Sequence, residues 1–74
     1  MQTIFFERSG DDAKEVLEVF SSALLNAEGC QEVRLLASAQ QAGLYLLVST
    51  WTRGSEPPAA PEGTKRWIFR DAEG

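Results

Sequence analysis

Few side chains in this chain of 74 residues are equipped for chemistry, and there is no histidine among them. Tyr45 and Arg34 are the most capable. A phenol can donate a hydrogen bond to a ligand carbonyl, and a guanidinium can hold a carboxylate or an enolate. The commoner fates of such residues are a phenol satisfied by backbone or water and a surface ion pair, for Arg34 with Glu32 or Glu7. Ser49 has no histidine to activate it as a nucleophile. Cys30, the single cysteine, opens a strand just after a helix. It would be redox-active only if exposed and beside a cation, and a buried small hydrophobe is its more usual role. Glu15, Glu18 and Glu28 read as solvated positions along a helix rather than as a hard-cation cage, so no metal and no cofactor are expected. Acid–base chemistry would fall to Glu7, Arg34 or Tyr45, with nothing in the pattern to tune a pKa.

These residues must be positioned by a small set of elements. Residues 3–8 are apolar and aromatic and read as a first strand, with Ile4 and Phe6 on one face and Thr3, Phe5 and Glu7 on the other. Residues 9–12 break it, and Asp12 with Glu15 resembles a capping box. From residue 13 the period becomes helical: Val16, Leu17, Phe20, Leu24 and Ala27 share a stripe, and Gly29 reads as the residue that ends the helix. Residues 30–39 form a second strand, residues 40–43 a short turn, and residues 43–53 a third strand paired antiparallel to the second. Residues 54–63 are a proline-punctuated connection without helical period, and residues 64–71 resume as a fourth strand. Ten extended residues reach about 33 Å, enough to cross a sheet. The fourth strand can therefore cross over, fold back beside the third, or pair with a second subunit.

Composition narrows the classes. The length allows one domain, residues 1–74, and a core so small that self-association is the expected extra source of stability. A formal charge of -4 argues against nucleic acid and against an anionic membrane surface. No window approaches a membrane span, the N-terminal apolar run is too short for a signal peptide, and the lone thiol points to a reducing cytoplasm.

Residues 43–53 organise the rest, because they are apolar on both faces. Leu44, Leu46 and Val48 are assigned to the side under the helix. Tyr45, Leu47 and Trp51 are assigned with Phe5 and Leu36 to the other. One helix is about 10–12 Å wide and four strands span roughly 14–15 Å between outer axes, so it covers much of one face and none of the second. The second face is expected to bury itself against another copy of the chain.

Residues 27–30 (Ala-Glu-Gly-Cys), a strand carrying Arg34-Leu35-Leu36, a turn, and a strand ending Leu47-Val48-Ser49-Thr50-Trp51 together resemble the antibiotic biosynthesis monooxygenase-like family. The resemblance runs from about residue 3 to residue 53 and is shared by relatives of different function. It implies a ferredoxin-like antiparallel sheet, β-α-β-β-linker-β, of the dimeric α/β-barrel type, with the connection 54–63 in place of a second helix. It also places Trp51 at a cavity wall, where a flat aromatic ligand could stack; the alternative is that Trp51 packs across the dimer interface. The pocket candidates are then Trp51, Tyr45, Arg34, Leu47 and Phe5. The chain departs from the family's chemistry at two points: cofactor-free members carry an asparagine shortly before the strand-three tryptophan, where this chain has Leu47 between Leu46 and Val48, and the histidine of the haem-degrading branch is absent. The expected function is a non-enzymatic homodimer that binds a small hydrophobic or aromatic ligand or serves as an interaction module. The alternative is a cofactor-free monooxygenase or isomerase acting on an aromatic or enolisable molecule.

Overall fold

The alternation of aromatic and aliphatic residues that marks the strands carries through into the backbone. A computed structural model describes residues 1–72, with five elements: β1 (Gln2–Ser9), α1 (Ala13–Leu25), β2 (Cys30–Ala37), β3 (Leu44–Trp51) and β4 (Lys65–Arg70). The strands form one sheet in the order β2-β3-β1-β4, and every neighbouring pair is antiparallel. β1 and β2 therefore run parallel with β3 between them, and α1 makes the crossover that parallel strands require. The chain is α+β, a four-stranded antiparallel sheet with one helix on one face. β1 and β2 occupy both sides of β3, so β4 lies along the outer side of β1.

The helical stripe behaves as its spacing predicts. Ala13, Leu17, Phe20 and Leu24 are buried, while Val16 and Ala27 are half-buried. Each fully buried aliphatic or aromatic side chain contributes about 1.5–3 kcal/mol by leaving water. The helix stops earlier than Gly29: Asn26 closes it, with its backbone and side-chain N–H groups both donating to the Ser22 carbonyl. Gly29 serves a different purpose. Its φ is +92°, and a Cβ there would collide with the Ser55 side chain, while the Thr52 N–H donates to its carbonyl at 2.9 Å. Only glycine lets the start of the connection come this close.

Residues 52–64 contain no helix or strand and cross on the helix side, where Ala60 packs against the core. Arg8 fastens their far end: its Nη1 donates to the Glu62 carbonyl and to Thr64 Oγ1 at 3.0 Å. Its Nη2 donates to Asp12 Oδ2 at 3.1 Å. The expected capping box does not form, because the Asp12 carboxylate turns to Arg8 and makes no capping bond. That hydrogen bond holds the Asp12 carboxyl below its ordinary value of 3.8. A depressed carboxylate stabilises the fold above its ordinary pKa and loses that contribution as the pH falls through the lowered value. Between neutral pH and about pH 3, the urea midpoint of the unmodified chain should therefore fall further than that of Asp12→Asn. Equal falls would contradict the pairing.

Candidate functional site

Cross-strand register decides which residues share a face, since directly opposed residues point the same way. Phe6 faces Leu47 and Ile4 faces Ser49, placing the Tyr45, Leu47, Ser49 and Trp51 side of β3 with the inner side of β1. This side lies under α1. Leu47, Ser49 and Trp51 are fully buried there with Ile4, Phe6, Leu17 and Leu24. The Phe6 and Phe20 rings meet edge to face at 4.9 Å. Tyr45 is half-buried at the margin of the same core. The face assignment made from sequence is thus reversed for β3: Trp51, Leu47 and Tyr45 belong to the helix side, and Leu44, Leu46 and Val48 to the open one.

Ser49 makes the buried side of β3 workable for a tryptophan. The Trp51 Nε1–H donates to Ser49 Oγ at 2.8 Å, and the Ser49 hydroxyl donates to the Ile4 carbonyl at 3.0 Å. A buried indole needs such an acceptor. No ligand is required to explain either side chain.

Three rows of the open face form a grid across all four strands in the order β2, β3, β1, β4, and Leu44 opposite Ser9 begins a shorter fourth row. The first row is Glu32, Thr50, Thr3 and Phe69; the second is Arg34, Val48, Phe5 and Trp67; the third is Leu36, Leu46, Glu7 and Lys65. Of the sequence candidates, Phe5 and Arg34 lie here, in the middle row. Phe5 is half-buried between Val48 and Trp67, and its ring meets Phe69 edge to face at 5.3 Å. Thr3, Phe5, Leu46, Trp67 and Phe69 line a shallow apolar depression. Three apolar members stand well out into solvent: Trp67 at 48%, Phe69 at 56% and Leu36 at 38% exposure. The Trp67 Nε1–H donates to Glu7 Oε1 at 3.2 Å. Arg34 is exposed and pairs with neither Glu32 nor Glu7, because the one ion pair among the described residues joins Arg8 to Asp12.

Trp67 and Phe69 were not singled out from sequence, although Lys65, Trp67 and Phe69 alternate with Arg66, Ile68 and Arg70. That alternation was a usable signal, but the face it belongs to depends on which strand β4 joins. Cys30 is half-buried against the core, and its burial pushes the thiol above its ordinary value, so little thiolate forms at neutral pH. Among the described residues, no group of three or more potential ligands could hold a metal ion, and no helix is long and apolar enough to cross a membrane. No family model, curated protein or solved structure matches the chain.

Proposed function

We propose that this chain is a small self-associating module of ferredoxin-like topology, reduced by one helix, whose open sheet face buries against a second copy. The observation that carries the reading is the apolar face of Phe5, Leu36, Leu46, Val48, Trp67 and Phe69 opposite the helix. Soluble monomers seldom leave so many large side chains of one sheet face in water. The strand order supports the topology, and the burial of Trp51 and Leu47 in the core supports a binding role over a monooxygenase-like one, since neither side chain faces an open cavity. A small aromatic ligand would have to seat in the depression beside Phe5, in competition with the partner. A reducing cytoplasm fits the single, half-buried thiol.

Tryptophan emission provides the test. Trp51 is buried within each copy, whereas Trp67 is 48% exposed until a partner covers it. Dilution through the micromolar range should shift the emission to the red as Trp67 meets water. A spectrum independent of concentration, in a chain that stays folded, would count against the module.

A further inference from the structure

The charges on the open face determine how the second copy must lie, an inference that rests on the self-association proposed above. The face carries two acids and two bases: Glu32 and Arg34 on β2, Glu7 on β1, and Lys65 on β4. Strands are about 4.8 Å apart and alternate residues about 6.8 Å apart, so the grid is nearly square, about 14 Å on a side. Closed two-chain assemblies are two-fold symmetric, so each residue opposes the position its own image occupies. A square grid admits four in-plane two-fold axes: along the strands, across them, and along each diagonal.

Three of these are poor. An axis along the strands lays Glu7 over the partner's Leu46, Glu32 over the partner's Phe69 and Lys65 over the partner's Leu36, stranding charges on apolar side chains. An axis across the strands lays Arg34 over the partner's Arg34. The diagonal from Glu32 to Lys65 lays each of those residues over its own image, like charge on like. The fourth axis, along the diagonal from Leu36 to Phe69, is different in kind. It lays Lys65 over the partner's Glu32 and sets Arg34 between the partner's Leu46 and the partner's Glu7, whose carboxylate its long side chain reaches, each pair occurring twice. Leu36 and Phe69 meet their own images on the axis, and Val48 and Phe5 fill the centre. All four charges are neutralised and the apolar residues are stacked on one another.

We infer that two copies pack with their sheets crossed at close to a right angle, on the two-fold along the Leu36–Phe69 diagonal, with Lys65 against the partner's Glu32 and Arg34 reaching the partner's Glu7. Near-orthogonal crossing is one of the two ways in which sheets pack face to face. The face measures about 19 by 26 Å in projection, roughly 500 Å² on each copy and about 1,000 Å² for the pair, which is at the small end for a specific interface.

A charge swap between Glu32 and Lys65 tests the orientation. Within one chain these residues stand at opposite corners of the grid, about 20 Å apart, so any coupling between them must act between chains. Glu32→Lys and Lys65→Glu should each weaken dimerisation about tenfold at low salt, and the double swap should return it to within about threefold of the unmodified chain. A double variant as weak as the product of the two single losses would overturn the orientation while leaving self-association intact. An unmodified chain that stays monomeric would instead remove the self-association on which the orientation rests.

Discussion

Val48→Lys is expected to leave the chain folded and to abolish the proposed dimer. Val48 sits in the middle row of the open face, between Arg34 and Phe5, and is half-buried before any partner arrives. In the monomer a lysine there can lift its ammonium into water, and the cost is at most about 1 kcal/mol of strand preference. In the dimer the same ammonium would be buried without a counter-charge. An uncompensated buried charge costs about 3–5 kcal/mol, and the substitution enters the interface twice, so association should weaken at least several hundredfold. Circular dichroism and the oligomer mass read the two outcomes separately. The sequence-based face assignment put Val48 under the helix, where a lysine would unfold the chain. An unfolded variant would restore that assignment; a folded, still dimeric one would remove the open face from the interface.

Trp51→Ala should produce the largest loss of stability. Trp51 is fully buried at the end of β3, packed into the cluster formed by α1, β1 and β3. Truncating a buried tryptophan costs about 3–5 kcal/mol through lost transfer energy and the cavity left behind. A chain of this length has about 4–11 kcal/mol in all. The urea midpoint should therefore fall by about a third or more, or the variant should be unfolded in buffer. A loss below about 1 kcal/mol would mean that the indole is not in the core.

The element order was legible because each element has its own period, and the helix stripe of Leu17, Phe20 and Leu24 was readable residue by residue. The faces of β3 were not. Both its odd and its even positions are apolar, so alternation alone could not say which side met the helix. Register decides that, and a slip of one residue reverses every side chain. Taking residues 40–43 as the turn sets Leu36 opposite Leu47. The backbone instead pairs Ala37 with Tyr45, setting Leu36 opposite Leu46, with an irregularity between Cys30 and Glu32. That single shift moved Trp51, Leu47 and Tyr45 from a presumed pocket into the core.

Other features were hidden because they depend on distant parts of the chain. The Arg8 contacts to Glu62 and Thr64 span more than fifty residues, and no local pattern announces them. The place of β4 beside β1 was equally non-local, and with it the exposure of Trp67 and Phe69 on the open face. What survived the correction is the argument from coverage. One helix shields one side of the sheet, and the side it leaves bare is still apolar, although a different set of residues makes it so.

Sedimentation equilibrium of the unmodified chain and of Val48→Lys, from about 1 to 100 µM, tests the self-association of that face most directly. The unmodified chain should pass from the mass of one chain to the mass of two within this range, and Val48→Lys should remain at the mass of one throughout. An unmodified chain that stays at the mass of one across the whole range would contradict it.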